Sequence, residues 1–490
     1  MSEPLSSIPA NKAAILTIIL VSYVMIVLDI SVVLTGLPKI QHDLGFSDVN
    51  LAWVQSAYTL TFGGFLLLGA RAGDIFGRRR MFIVGLCIFT VASLAIGASF
   101  SASWMLVWRA IQGVGAAVLA PSTLSLLQTN FEEGHERTRA VSYYSAAAGL
   151  SATVGLILGG LLAQYLSWRV GFYINLPIGL GMVAATRFYI QETPRHSGKF
   201  DLMGAMTSTV GMSALVYGFI RSAHAGWHDG QTIIALSLAV LLLVLFVIIE
   251  KSALQPILPL WLFSSAERSG AYAARILYLG AMVGFFFFTT LYLQDVAFYG
   301  PALTGLAFVP ATILHFPFAI AVPRLGRRFS PNSLLVVGSL IGIVGMAWLS
   351  QISMGSGYLL SIALPMVLIG TSQGLTLSPL TSAGVSGVSP QSAGAASGAV
   401  NVAHQIGSSV GLAVLVAVSG VGGLALSGRE LMAFRVRSAF EAGTVMLVLA
   451  SLIIVFAIVL PGRKNGGAPP SLETDKEIAE EAGLYANEVP

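Results

Sequence analysis

The sequence predicts an all-α polytopic membrane protein, and three observations carry that prediction. About fourteen apolar stretches of roughly twenty residues run almost end to end, and a helix of that length crosses a ~30 Å hydrocarbon core. Hydrophobic residues fill 55% of 490 positions, and charged residues only 10%. Stretches such as Met81–Phe100 hold no charge at all. Without water to satisfy backbone polar groups, each span must close its own hydrogen bonds as a helix.

Taken in order, the apolar runs place spans at 13–37, 50–70, 81–101, 104–127, 139–162 and 168–190. Two more fall at 203–220 and 232–250. The last six lie at 271–294, 302–323, 332–351, 358–380, 393–419 and 440–461. The first run, Ala13–Leu37, is too long for a cleaved leader and lacks a small-residue cleavage site, so it is read as a span.

With residues 1–12 inside the cell, inner segments gather Arg78, Arg79, Arg80, Arg137, Arg139, Arg327 and Arg328. Outer segments hold only Lys39, Arg169, Arg221, Arg429, Arg435 and Arg437. That bias places both termini on the cytoplasmic side of the plasma or inner membrane. Trp53, Trp104, Trp168 and Trp227 fall near the outer ends, where an interfacial belt is expected.

A weak repeat organises the chain. Phe76-Gly77-Arg78-Arg79-Arg80 is echoed by Leu325-Gly326-Arg327-Arg328-Phe329. If the two loops correspond, 13–190 and 271–461 are two six-helix bundles, and 203–250 is a pair of inserted helices. Parallel halves of this kind serve alternating-access carriers, which bind substrate near the midplane. The Gly- and Pro-containing run and glutamates after it make 462–490 a mobile cytoplasmic tail.

Several function classes are excluded. The net charge of +4 sits mainly in short loops, so it sets orientation and does not mark a nucleic-acid surface. A single cysteine, Cys87, rules out a disulfide within the chain and reads as a small core residue. No clustered Cys or His metal ligands and no phosphate-binding glycine loop with lysine are present, so neither a metal nor a nucleotide cofactor is expected. Gly370-Thr371-Ser372-Gln373-Gly374 fits a hydrolase pattern, but it lies in a membrane helix and not on the strand-to-helix elbow that chemistry requires. The chain is not read as an enzyme.

The local motifs resemble the major facilitator superfamily, specifically its fourteen-span drug:proton antiporters. Leu28-Asp29-Ile30-Ser31-Val32-Val33-Leu34-Thr35-Gly36-Leu37-Pro38 is similar to that family's first-span pattern. Gly69-Ala70-Arg71-Ala72-Gly73-Asp74-Ile75-Phe76-Gly77-Arg78 resembles the superfamily's gating loop, and Arg109-Ala110-Ile111-Gln112-Gly113-Val114-Gly115 its fourth-span pattern. Trp168-Arg169 with Phe172-Tyr173-Ile174-Asn175-Leu176-Pro177 resembles the sixth span, and Ser392–Gly398 carries the likeness into the second half. Three departures stand out: Gly155–Gly160 lacks the proline usual in the antiporter signature, Ile75 replaces a basic residue, and His404 stands where relatives carry arginine. The resemblance implies two six-helix bundles plus two inserted helices, with the gating role falling on Asp74, Gly77 and Arg78.

Asp29 is the one acid well inside the first six spans. A charge near a helix centre costs ~2.5–3.5 kcal/mol on insertion scales, so its retention points to proton coupling or a structural ion pair. Asp29 lies eight residues before Leu37 and Arg109 five after Trp104, which puts both roughly 8–12 Å below one boundary. The two can share a layer if spans one and four face each other. Asp74 can cap a helix end and pair with Arg78 as a latch between bundles. Gly155, Gly159 and Gly160 allow close helix approach and bending. His315 and His404 are read as packing residues or a second titrating site, with His404 the stronger. Arg275 is expected to snorkel to the interface. Gln112, Phe285 and Tyr292 are expected to line a substrate cavity, with aromatic faces suited to a lipophilic cation.

The leading expectation is a monomeric carrier that exports small lipophilic, cationic or zwitterionic compounds in exchange for protons, driven by the proton gradient with no cofactor. The alternative is a carrier of the same fold moving lipids or a dedicated metabolite, without antiport. A channel would need a continuous polar path, and the spans offer isolated charges.

Overall fold

The computed structural model describes residues 11–132, 135–193, 195, 201–253, 256, 258–388, 393–423 and 425–461. The tail expected over 462–490, residues 1–10 and Ser392 lie outside them. Helices are the regular structure of the described residues, with no strand among them. In order these are α1 (Lys12–Leu44), α2 (Trp53–Phe76), α3 (Arg78–Gly97), α4 (Ala102–Asn130), α5 (His135–Tyr165), α6 (Val170–Tyr173), α7 (Asn175–Tyr189) and α8 (Leu202–Ala225). Then follow α9 (Gly230–Ser252), α10 (Ala266–Leu291), α11 (Pro301–Ala307), α12 (Val309–Leu325), α13 (Pro331–Leu349), α14 (Leu364–Gly384), α15 (Ala393–Ser419) and α16 (Gly428–Ile453).

The boundaries follow local chemistry. Asn11 accepts from the Ala14 amide at 3.1 Å to start α1, and Ser101 accepts from Trp104 at 3.3 Å to start α4. Ser330 does the same for Ser333 at 3.1 Å, with Pro331 in the first turn of α13. Each side chain satisfies a donor that the helix itself leaves open, and proline loses nothing there.

The chain divides into two compact units. The first is Met1–Ala205 with Leu293–Phe308, and the second is Met206–Tyr292 with Val309–Pro490. In the first unit α4 packs on α2 and α3, α1 packs on α5, and α11 packs on α5. Its core joins Ile15, Ile19, Phe62, Phe82, Phe89, Leu119 and Leu127. In the second, α10 packs on α15 and α16, while α14 packs on α12 and α13. Ala271, Ala274, Leu335, Leu380 and Ile454 form one of its cores.

Among the described residues, twelve helices are long and apolar enough to cross a membrane. That count covers the described residues only and does not by itself give the fourteen expected. The span expected at 139–162 lies within α5, which runs unbroken over His135–Tyr165. The span expected at 168–190 is divided into α6 and α7. Helix α9 exposes Ile233, Ile234, Leu238, Val240, Leu241 and Val244, which suits a helix in lipid contact on most sides.

Two smaller expectations are corrected. Cys87 is exposed on α3, where a small apolar thiol is compatible with acyl chains, so it is not a core residue. Trp168 is buried and donates its indole N–H to Asp43 at 2.8 Å, so it is packed inside the fold and does not anchor an interface.

Candidate functional site

In the first unit, five helices converge on one carboxylate. Asp29 on α1 accepts from Arg109 Nη1 on α4 at 2.6 Å, and both side chains are fully enclosed. Its other oxygen accepts from Gln112 Nε2 at 2.8 Å and from Asn175 Nδ2 on α7 at 3.2 Å. Ser93 on α3 accepts from the same two amides at 2.8 and 3.2 Å. Arg109 also donates to the Val54 carbonyl on α2 at 3.0 Å and to Gln112 Oε1 at 2.7 Å. Its guanidinium lies 4.5 Å from the Tyr58 ring centre.

The physical logic is that of a buried ion pair. Removing two charges from water is expensive, and their attraction compensates only when the remaining lone pairs and protons are also satisfied. Gln112 and Asn175 do this for the carboxylate, with Ser93 accepting from both amides; the Val54 carbonyl, Gln112 Oε1 and the Tyr58 face do it for the guanidinium. Arg109 Nη2 is left without a partner. Depth counting brought Asp29 and Arg109 to one layer, and the structure joins them directly. Ser93, Asn175 and Tyr58 were not singled out as site residues. A lone polar residue in an apolar span was the available signal, and Asn175 already stood in a quoted motif.

Gln112 is enclosed in this network and reaches no open surface. Phe285 and Tyr292, expected to line a cavity, are likewise buried, at 0% and 1% exposure. Phe285 packs edge-on against Phe286, and the Tyr292 hydroxyl donates to the Ser353 carbonyl at 2.7 Å. Packing engages the Phe285 ring, and a backbone hydrogen bond holds the Tyr292 hydroxyl.

Across the junction of α2 and α3, Asp74 in the last turn of α2 pairs with Arg78 at the start of α3. Gly77 has φ +101°, a conformation open to glycine, and a Cβ there would meet the Glu192 carboxylate at 2.5 Å. Glu192, not Asp74, covers the start of α3, accepting from the Arg79 and Arg80 amides at 3.0 and 3.1 Å. Thr193 accepts from the Arg78 amide at 3.0 Å. A carboxylate at these open donors also complements the positive end of α3. The capping expected of Asp74 therefore falls to the segment after α7.

The three glycines of α5 are packing sites in an unbroken helix. A Cβ on Gly155 would meet Ser31 at 2.6 Å, one on Gly159 would meet Val32 at 2.6 Å, and one on Gly160 would run into the Pro301 carbonyl. Small residues here let α5 lie against α1 and α11.

In the second unit His315 Nδ1 lies 3.1 Å from Gln373 Oε1, and His404 Nδ1 lies 3.3 Å from Arg275 Nη2. The two histidines thus have separate partners. Arg275 does not snorkel: it is 7% exposed and donates to Thr381 Oγ1 at 2.9 Å. Its helix starts at Ala266, five residues before the expected 271, which sets Arg275 more than a turn deeper.

Residues 19–412 match the family model described as Major Facilitator Superfamily. The chain belongs to this superfamily. It is a multi-span membrane transporter of small molecules, and not an enzyme. It is 38% identical over 431 residues to the puromycin resistance protein of Streptomyces alboniger, covering 85% of each chain. It is 38% identical to the cephamycin export protein of Amycolatopsis lactamdurans, over 82% of this chain and 84% of that one. A multidrug resistance protein of Mycobacterium tuberculosis is 34% identical over 83% of this chain and 76% of its own. Among solved structures, an inward-facing bacterial homolog of the human lysosomal transporter Spinster superposes with TM-score 0.66 at 16% identity, over 92% of this transporter and 98% of that chain. A nucleoside transporter gives 0.63 at 12% identity, over 90% and 99%. At such identities these structures speak for the fold alone.

Proposed function

We propose that this transporter exports lipophilic compounds, cationic or zwitterionic, in exchange for protons, and that Asp29 carries the proton. The observation behind the reading is the enclosed Asp29–Arg109–Gln112–Asn175–Ser93 network, the place in the first unit where a carboxylate lies fully inside the helices. Drug resistance and export in the names of its relatives agree with it.

Every group that reaches Asp29 in this network is a donor. A proton arriving on either oxygen displaces one of them, most directly Arg109, which then loses its counter-charge. Protonation therefore repacks α1 against α4, and a bistable helix contact of this kind can couple a proton to alternating access. Orientation with both termini in the cytoplasm completes the scheme, with loading from outside and release within.

The test is dye efflux from proteoliposomes under an imposed pH gradient, comparing wild type with Asp29→Asn. The variant keeps the size and the hydrogen-bonding oxygen but not the titration. We expect gradient-driven transport to vanish while the protein still elutes as folded. Undiminished driven transport by Asp29→Asn removes the assignment.

A further inference from the structure

The second unit holds a buried cation without an acid. Arg275 on α10 is 7% exposed, and its Nε finds no hydrogen-bond partner. Its other contacts are neutral: Thr381 on α14 at 2.9 Å and His404 on α15 at 3.3 Å. A guanidinium can only donate, so the facing His404 Nδ1 accepts and adds no negative charge.

No carboxylate stands nearby on the packed helices. α14 and α13 carry no acid, and the described residues of α15 carry none. On α10 itself Glu267 lies eight residues earlier, ~12 Å along the axis. On α16, Glu441 pairs with Arg437 at 2.9 Å and Glu430 sits in the first turn.

The surroundings are those of a wetted face. Ser378, Thr381 and Ser382 on α14 are exposed, as are Ser397 and Asn401 on α15. Ser378 and Thr381 are three residues apart, as are Asn401 and His404, so each pair shares a helix face. These hydroxyls and amides lie in the last turns of α14 and the first turns of α15, where a polar surface is within reach of water. Arg275 thus borders this polar surface with one N–H unsatisfied and one positive charge unbalanced.

We propose that Arg275, with Thr381 beside it, is an oxyanion site that takes the carboxylate of a zwitterionic substrate. A planar guanidinium matches a carboxylate by two parallel N–H donors. The inference deepens the export reading and rests on it, since it names the anionic half of the cargo. A free inorganic oxyanion shares the chemistry, and one arm of the test separates the two.

The experiment uses the full chain in lipid nanodiscs and two dyes that differ in one group, tetramethylrhodamine with its free carboxylate and the methyl ester of the same dye. Fluorescence anisotropy should show the acid bound about tenfold more tightly than the ester, the size of a hydrogen bond to a charged group. Arg275→Gln should erase that preference, and Arg275→Lys should keep part of it, since charge remains but the fork is lost. If Arg275→Gln fails to elute as folded, Thr381→Val replaces it, with a several-fold drop in preference expected. Inorganic phosphate in excess that competes with the acid alone marks a site open to any oxyanion. No competition marks one reserved for the substrate's carboxylate, and either result supports the site. Equal binding of the dyes, binding of neither, or a preference that survives Arg275→Gln overturns it. Asp29→Asn should leave the preference intact. Loss of proton-driven transport and loss of acid preference therefore fail independently.

Discussion

Two arginines buried in membrane helices, Arg109 in the first unit and Arg275 in the second, meet opposite surroundings. Arg109 touches a carboxylate at 2.6 Å, and that carboxylate is shared with two amides. Arg275 touches a hydroxyl and an imidazole. Each leaves one nitrogen without a partner, and the larger difference between them lies in the charge of the groups they meet. A neutralised cation is a part of the fold that can be disturbed by a proton. An unneutralised one is a cost carried by the fold until an anion arrives.

The largest expected effects test this contrast through stability. Arg109→Gln and Asp29→Asn each leave one member of the pair as an uncompensated buried charge, which costs about 3–5 kcal/mol, so both should elute as folded protein with a sharply lowered melting temperature. Arg275→Gln removes a charge that nothing balances, so melting should stay level or rise. Thermal melts followed by fluorescence-detected size exclusion give both numbers. A large fall for Arg275→Gln would mean that the second site is structural, and the contrast would be lost.

A smaller effect sharpens the first site. Asn175→Ala and Ser93→Ala each remove one neutral donor or acceptor from the shell and should cost about 1 kcal/mol each. If the network acts as a unit, the double variant should depart from the sum of the two singles. Additive losses would instead make Asp29–Arg109 an isolated pair with bystanders.

Electroneutrality gives the next measurement. One proton exchanged for a monovalent cation moves no net charge, so only the pH difference drives it. One proton exchanged for a zwitterion moves one charge, worth ~2.3 kcal/mol per 100 mV. Efflux of the free-acid dye should therefore respond to membrane potential, and efflux of its cationic ester should not. Equal sensitivity would separate cargo charge from the Arg275 site.

The sequence made the first site legible and hid most of the second, for reasons of chemistry. Asp29 and Arg109 stand out because charge is rare in apolar spans, and rise per residue places them at one depth. Asn175 and Ser93 bear no charge, so they look like tolerated polar residues until the helices are packed. Arg275 was misplaced because hydropathy began its span at 271, whereas Ser265 accepts from the Arg268 amide at 3.4 Å and starts the helix before Ala271. Caps override hydropathy at such ends. Helix α5 shows the same, since Arg139, which opens the expected span, lies a turn inside a helix that begins at His135.

The smallest expected effect comes from an ion pair outside the membrane, and it calibrates the buried two. Arg221 on α8 holds Asp229 by two bonds of 2.6 and 3.1 Å, and Asp229 also caps α9 through the Thr232 amide at 3.0 Å. The Arg221 hydrogen bonds, followed by that amide, lower the Asp229 carboxyl from 3.8 to about 2. A depressed carboxyl stabilises the folded state above its unfolded value, and the gain is lost as pH falls through the folded one. Asp229→Asn retains a capping oxygen but not the charge. Wild type should melt slightly above the variant at neutral pH, keep that lead down to about pH 4, and lose it by about pH 2. Added salt should shrink the lead, because exposed pairs are screened. The Arg109 melting effect, enclosed from solvent, should be indifferent to the same salt. A salt-sensitive Arg109 effect would place the Asp29 pair in contact with water and undo the distinction between the enclosed and open sites.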